Sequence, residues 1–436
     1  MKNRALTKRS NMWPLQDQVF WYLKRDGAKT CRENQKVDVA VIGGGVAGLA
    51  AAQAFSKRGK KIALFEQYYC GSGASGKSSG FVTPNAELSF TDFSKRYDTK
   101  TARTIWDFII TGVNDIRDNI QQQRISCDYM PQDTLVVANS PKDLHTLETE
   151  YRNLTASGYK AAFYTDAQVQ SYIGSTHYYG GVRYEDTFSM NGYAYCQGLK
   201  TQLATVGVSI FEETPVIALD NHTLTTPYAT IEADYIVVCG DRFLPDLGLL
   251  KQEVYHAQTF VMMSSPLTDE QANRMFPKNK FMVWDTELIY NYFRLTHDNR
   301  LLLGGGNFIS TYAGQEKHNY TAIVTKLTGY LEKKFPELCV QFEYVWPGLI
   351  GLSKDIAPLA GPDKHNKHIY YVAAAAGLPI AAALGRYSAE HLIDGNTALD
   401  DYFDPYRPFP ISGLAQSLLG TKLSFALSNL LKANVP

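Results

Sequence analysis

Cysteine is scarce and scattered in this chain of 436 residues: Cys31, Cys70, Cys127, Cys196, Cys239 and Cys339 come no closer to one another than 39 positions. That spacing excludes a zinc pattern and the disulfide framework of a small secreted domain, and it makes a reducing, cytoplasmic compartment the expectation. An excess of one charge sign is also lacking. Lys plus Arg and Asp plus Glu each number 43, so no global field gathers an anionic polymer, which argues against a nucleic-acid binder. Long hydrophobic runs are missing: Tyr370 to Gly385 is the longest small-apolar stretch, and Gly377 and Pro379 interrupt it, so no transmembrane helix is predicted. Lys2, Arg4, Lys8 and Arg9 have no apolar run behind them and read as a basic leader, not a secretion signal. There is neither an internal repeat nor a low-complexity tract.

What is present is the composition of a globular protein, 45% hydrophobic and 20% charged, long enough for two or three domains of about 150 residues each. From Lys36 a β-branched run (Val37–Ile42), three glycines (Gly43–Gly45), an Ala-rich helical stretch (Val46–Lys57) and a second apolar run (Lys61–Phe65) form one βαβ unit. Asp234–Cys239 and Ile369–Val372 suit further central parallel strands. Thr259–Met263, Ile289–Leu295 and Leu301–Gly304 read instead as antiparallel strands of a second sheet, and helices are expected at about 101–123, 142–157 and 190–206. The two kinds of segment alternate along the chain, so the two domains are interleaved.

Gly43-Gly44-Gly45-Val46-Ala47-Gly48 has the spacing G-x-G-x-x-G between a strand and a helix, and Glu66 ends the next strand. Such a loop gives a tight turn at Gly43, close backbone approach to a pyrophosphate at Gly45 and close helix–strand packing at Gly48, with the helix N-terminus facing the phosphates. Glu66 is placed to accept hydrogen bonds from ribose hydroxyls, which points to a dinucleotide without a 2′-phosphate. The run Gly71-Ser72-Gly73-Ala74-Ser75-Gly76-Lys77-Ser78-Ser79-Gly80-Phe81 reads either as a flexible linker or as backbone laid against a flat ring and phosphates. A second helix start, Gly377-Leu378-Pro379, follows a strand and can stabilise negative charge on a ligand.

At this point the sequence resembles the FAD-dependent amine oxidoreductases of the D-amino-acid oxidase superfamily, and within it the gamma-glutamylputrescine oxidoreductase and glycine/sarcosine oxidase types. The resemblance runs from about Val37 through VDVAVIGGGVAGLAAA, GSGASGKSSG, NYFRLTHDNRLLLGGG, WPGLIGLSKDIAPLAGP, GLPIAAALGRYSAEHLIDG and the RPFP connector. It implies an α/β fold in which a Rossmann-like FAD-binding domain (37–100, 186–247, 345–400) is interleaved with an α+β substrate domain built on an antiparallel sheet (101–185, 248–344), between a leader (1–36) and a tail (401–436). It also implies oxidation of an amine C–N bond by hydride transfer to flavin, the imine then hydrolysing, with oxygen or a quinone as electron acceptor. By position, Gly43, Gly45, Glu66, Ser75, Lys77, Ser78, Val216, Gly240, Gly348, Gly377, Leu378 and Pro379 should line FAD. Val216 enters because GVSIFEETPVIALD resembles the family strand whose backbone meets the adenine. Val46, Ala47, Gly48, Gln67, Gly73, Ala74 and Ser79 complete the candidate set. No cysteine lies in the segment Trp346–Ile350 that carries the flavin link in some relatives, so non-covalent FAD is expected, and Cys239 reads as an inert core residue.

Two segments depart from the family pattern. Relatives often show Ser-Gly-Arg-Asn-Gly-Gly where this chain has Ser75-Gly76-Lys77-Ser78-Ser79-Gly80, and Ser-Gly-His-Gly where it has Ala374-Ala375-Ala376-Gly377. The second departure motivates an alternative, a catalytically silent FAD-binding protein. Tyr292, Arg294 and His256 are the catalytic candidates. Tyr290, Tyr292 and Arg294 alternate on one strand, where Arg294 reads either as a substrate-carboxylate ligand or as part of a structural ion pair, and His256, on an earlier strand, has a structural reading beside its catalytic one. In the tail, Ser412–Lys432 is a candidate amphipathic helix with Ser417, Thr421, Ser424, Ser428 and Lys432 on one face and Leu414, Leu418, Leu419, Leu423, Leu427 and Leu430 on another. It is expected to pack on its own protein or a partner copy, with peripheral membrane contact as the alternative.

Overall fold

A computed structural model gives the architecture and describes residues 15–22, 29–85, 87–306 and 316–431. The basic leader at 2–9, Lys432 and the side chain of Leu430 lie outside the described residues. The strands are β1 (Gln16–Asp17), β2 (Gln35–Ile42), β3 (Ile62–Phe65), β4 (Phe81–Val82), β5 (Met130–Pro131), β6 (Thr134–Val137) and β7 (Ala161–Thr165). Then come β8 (Gly180–Tyr184), β9 (Phe188–Ser189), β10 (Ser209–Phe211), β11 (Ala218–Asp220), β12 (Thr223–Thr225), β13 (Thr230–Val238) and β14 (Tyr255–Pro266). The last are β15 (Met282–Asp285), β16 (Tyr292–Leu295), β17 (Arg300–Gly305), β18 (Phe342–Leu352), β19 (Leu359–Pro362) and β20 (Ile369–Ala373).

The first sheet has the order β10-β3-β2-β13, and β13 continues to β12 and β11 with one half and to β20 and β19 with the other. β10, β3, β2, β13 and β20 are parallel. Val238 lies opposite Ile42 and Ile42 opposite Phe65, so Gly43, Glu66 and Gly240 emerge together at the carboxyl edge, where ligands bind in such sheets. On one face lie the helices Val46–Ser56, Leu378–Asp394 and Thr99–Gln122. They touch backbone to backbone: a Cβ on Gly385 would fall 2.1 Å from the Ala47 carbonyl, and one on Gly112 2.0 Å from that of Pro379.

The second sheet is mainly antiparallel, in the order β1-β18-β14-β17-β16-β15-β6-β8-β7. Its strands alternate as the two-residue period requires. Phe260, Met262, Phe293, Leu295, Leu301 and Leu303 point into a core closed by the helix Thr321–Lys334, while Val261, Met263, Tyr292 and Leu302 point to the other face. β18, which the boundary at 345 gives to the nucleotide-binding part, pairs with β14 in this sheet. The helix Thr99–Gln122, given by sequence to the substrate part, packs on the nucleotide-binding helices. No helix among the described residues is long and apolar enough to cross a membrane.

The tail corrects an expectation. Instead of one helix there are two, Gly413–Leu419 and Thr421–Leu431, parted at Gly420 with φ +80°. The faces are also reversed. Ser424 and Ser428 are fully buried, with Phe425 packed on Tyr255, whereas Leu414 and Leu418 are 78% and 82% exposed and Leu419, Leu423 and Leu427 also face outward. One aromatic anchor between small residues lets this face approach the body closely, and that contact decides the orientation against the apolar pattern.

Candidate active site

Gly43 leaves β2 with φ +104°, and a Cβ there would stand 2.5 Å from the carbonyl oxygen of Cys239, so the turn needs glycine. Gly48 presses on the same loop, its would-be Cβ 1.9 Å from the Gly43 carbonyl. Gly45 is the N-cap of the helix Val46–Ser56, with no side-chain cap and no acid in the first turn, which leaves the positive end of the helix to a ligand. The Val46 N–H donates to Ser75 Oγ at 3.0 Å, seating the small-residue segment on the glycine loop. That segment is ordered backbone, a short helix Ala74–Lys77 with Gly73 at its N-cap. Glu66 is buried and accepts from the N–H groups of Gly44 at 2.7 Å and Tyr68 at 2.9 Å. Burial raises its pKa, and those amides pull against the rise. Gln67 follows it, half-buried.

Val216 is not on a strand. The β10 ladder ends at Phe211, and the residue sits in the connection between β10 and β11. There the Thr214 N–H donates to the Glu66 carbonyl and the Glu213 N–H to that of Tyr68, at 2.9 and 2.8 Å, so the connection still runs beside Glu66. Cys239 is an inert thiol, pushed up to about 12 by burial.

Between the two sheets lies a cavity of about 1090 Å³. One wall is built from Ala74, Ser75, Lys77, Ser78, Ser79, Gly348, Gly377, Leu378 and Pro379, and the other from Phe81, Trp284, Tyr290 and Tyr292. Gly377, φ +121°, is the N-cap of the helix Leu378–Asp394 and has no side-chain cap. Gly348 is open: a Cβ there would have only Thr259 at 3.8 Å and Lys77 at 3.9 Å as neighbours.

Of the three catalytic candidates only Tyr292 reaches this cavity. Arg294 is turned behind it. Its Nε donates to the Ser79 carbonyl at 2.7 Å, and its Nη atoms donate to Ser189 Oγ and the Met190 carbonyl. Among the described residues it forms no ion pair, and desolvation lowers its pKa to about 10. It therefore ties the segment at Ser79 to that at Ser189–Met190 and does not present a fork to a carboxylate. His256 lies outside the lining, opposite Gly351 in the β14–β18 ladder and stacked on Tyr255 at 4.3 Å.

Sequence reasoning missed three residues. Asp241, at φ +47°, accepts from the N–H groups of Gly351 at 2.7 Å and Ala374 at 3.0 Å, tying β13 to β18 and β20. Trp284 and Glu87 complete the second wall. A non-glycine residue with positive φ directly after a strand end leaves little sequence signal, and neither does a lone Glu after Gly-Phe-Val-Thr-Pro.

Comparison with known proteins decides the family. A family model described as FAD dependent oxidoreductase, DAO, matches residues 38–391. The chain belongs to this family. Gamma-glutamylputrescine oxidoreductase of Escherichia coli strain K12 is 29% identical over 392 residues, covering 87% of this chain and 89% of that protein. Among solved structures, glycine oxidase from Geobacillus kaustophilus superposes with a TM-score of 0.73 at 18% identity, over 86% of this chain and all of that one. L-proline dehydrogenase from P. horikoshii gives 0.72 at 16% identity, over 86% and 98%. The protein is thus an FAD-dependent oxidoreductase of the DAO family with the fold of these enzymes.

The residues fit the cofactor. Two uncapped helix starts, at Gly45 and Gly377, offer N–H groups to phosphate and to ring oxygens. The open backbone at Gly348 and the low wall of Ser75–Ser79 give a flat ring system room against backbone, where a Cβ would intrude.

Proposed function

We propose that the chain oxidises the C–N bond of a primary or secondary amine, with the resulting imine hydrolysed to a carbonyl compound and an amine. The observation that supports this reading is the cavity, in which the small-residue and glycine wall faces an aromatic wall and, among the described residues, no lining cation is free to seize a carboxylate. Its lysine, Lys77, is paired with Glu316 at 2.6 Å, and Arg294 serves the backbone. Among amino-acid and glutamylated-polyamine substrates this favours the second kind, whose reacting nitrogen is distant from any carboxylate. Similarity to gamma-glutamylputrescine oxidoreductase points the same way.

Bound FAD supplies the two-electron acceptor for a hydride from the carbon next to nitrogen. The protein's part is placement and dryness. Phe81, Trp284, Tyr290 and Tyr292 exclude water from the alkyl chain. Burial first of all pushes the phenols of Tyr290 and Tyr292 well upward, so they stay protonated and donate hydrogen bonds instead of removing protons. The phenols therefore take no proton from the substrate, and the reacting amine enters in its neutral form. A panel of amines with purified protein should release hydrogen peroxide, or reduce an added quinone, in step with carbonyl product. Neither acceptor responding to any amine would overturn the reading.

A second reading concerns the tail, as a peripheral contact with a lipid surface. Leu414, Leu418, Leu419, Leu423 and Leu427 face outward on helices anchored by Gln416, which accepts from Lys354, and by Ser424, Phe425 and Ser428. No Asp or Glu follows Asp404, and Lys422 is the charge on the described helices. Each leucine buried in lipid contributes about 1.5–3 kcal/mol, enough together for peripheral binding. The protein should float with vesicles containing anionic phospholipid, and Leu418→Asp with Leu423→Asp should release it. Wild-type protein that stays in the dense fraction would dismiss the membrane contact.

A further inference from the structure

The aromatic wall is a closed circuit. Phe81 stacks on Trp284 with centroids 5.6 Å apart, Trp284 meets Tyr290 at 5.9 Å, Tyr290 meets Tyr292 at 6.0 Å, and Tyr292 returns to Phe81 at 6.0 Å. These rings touch one another and present one continuous aromatic surface to the cavity, over which a cation can sit within about 6 Å of a ring centroid. Glu87 stands at this circuit: its Oε1 accepts from Tyr290 Oη at 2.8 Å. Of the charged side chains on the cavity wall, Lys77 is neutralised by Glu316, and Asp241 is held by two amides. Glu87 has, among the described residues, only that phenol, so its charge is left for a ligand. It also lines a narrow, largely apolar recess bordered by Leu88, Phe93, Ile109 and Phe403, with room for little more than a water-sized group. The recess and the cavity share Thr83, Glu87, Ala376, Gly377 and Pro379.

We infer that the aromatic circuit and Glu87 form a binding site for a second, positively charged nitrogen of the substrate, which is therefore a diamine or polyamine-like cation. The inference rests on the amine-oxidoreductase reading and names its substrate class. The nitrogen held here is not the one that reacts. A carboxylate and an aromatic surface stabilise the protonated form, whereas hydride loss from the neighbouring carbon needs a neutral amine. The nitrogen held here is thus a distal one.

The test uses the FAD-loaded protein. Steady-state kinetics would compare 1,4-diaminobutane and N-acylated spermidine with a monoamine of equal length and with 4-aminobutanoate. The cations should exceed the monoamine in kcat/KM by about tenfold or more. Glu87→Gln should erase most of that ratio, and Trp284→Leu should weaken it. Binding is read separately from turnover by titrating an alkyltrimethylammonium dication, which cannot be oxidised at the distal nitrogen, against flavin absorbance and tryptophan fluorescence. Saturable binding that Glu87→Gln weakens about tenfold supports the site even if no amine is oxidised, in which case only the amine-oxidation reading falls. Turnover of monoamines as good as that of diamines, with no dication binding, overturns the site and leaves the oxidation reading standing.

Discussion

Arg294 shows how a residue's type can be legible while its task is not. The alternation of Tyr290, Tyr292 and Arg294 puts Tyr292 and Arg294 on one face of β16, because a strand's period is fixed, whereas Tyr290 lies just before that strand. What Arg294 touches depends on Ser79, Ser189 and Met190, which lie more than 100 residues away in sequence. Replacing Arg294 by Leu should therefore cost stability, about 1–3 kcal/mol for each acceptor left unpaired, and lower kcat/KM for carboxylate-bearing and carboxylate-free amines alike. A thermal melt and a two-substrate comparison check this, and a selective rise in KM for the carboxylate-bearing amine alone would restore the substrate-binding role. Glu87 was illegible for a similar reason. It becomes a candidate only when the chain after β4 is folded beside Trp284 and Tyr290. The glycines Gly43 and Gly48 were legible because their constraint is local: a backbone carbonyl stands where a side chain would be.

Among elements, the βαβ unit and the helix starts at Gly45 and Gly377 follow from short-range rules, and the structure has them within a few residues of the expected bounds. The tail did not follow such rules, since an amphipathic pattern says which residues share a face but not which face has a partner. The connector before the tail is fixed by a buried ion pair. Arg407 meets Asp355 through Nε at 2.9 Å and Nη2 at 2.8 Å, and Arg96 approaches the same carboxylate at 3.4 Å. Burial works to raise the Asp355 pKa, but the two guanidinium groups and the Ser353 hydroxyl outweigh it and hold the carboxyl below its ordinary value. A carboxyl depressed in the folded state stabilises the protein fully above its unfolded pKa, about 3.9, and that contribution is lost as pH falls through the lower folded value. Acid unfolding should accordingly steepen below about pH 4. Arg407→Met should cost about 3–5 kcal/mol at neutral pH, as read by chemical denaturation. An unchanged midpoint would show that the connector is held by other contacts.

At the scale of the whole molecule, interleaving was legible because parallel-type and antiparallel-type strands alternate along the chain. The exact partition was not: the motif that starts at Trp346 and was assigned to the nucleotide part opens inside β18, which pairs with β14 in the larger sheet. The consequence is that one strand of the larger sheet, through Gly348, lines the same cavity as Ser75, Lys77 and Gly377, and the cavity exists only where the two parts meet. The central claim, an FAD enzyme that oxidises amines between these two walls, is tested most directly by the visible spectrum of the purified protein under anaerobic titration with a diamine. The account predicts flavin bands that bleach on addition of the amine, with all of the flavin recovered as free FAD after acid precipitation. A flavin spectrum that no amine alters, or a colourless protein that does not take up added FAD, would contradict it.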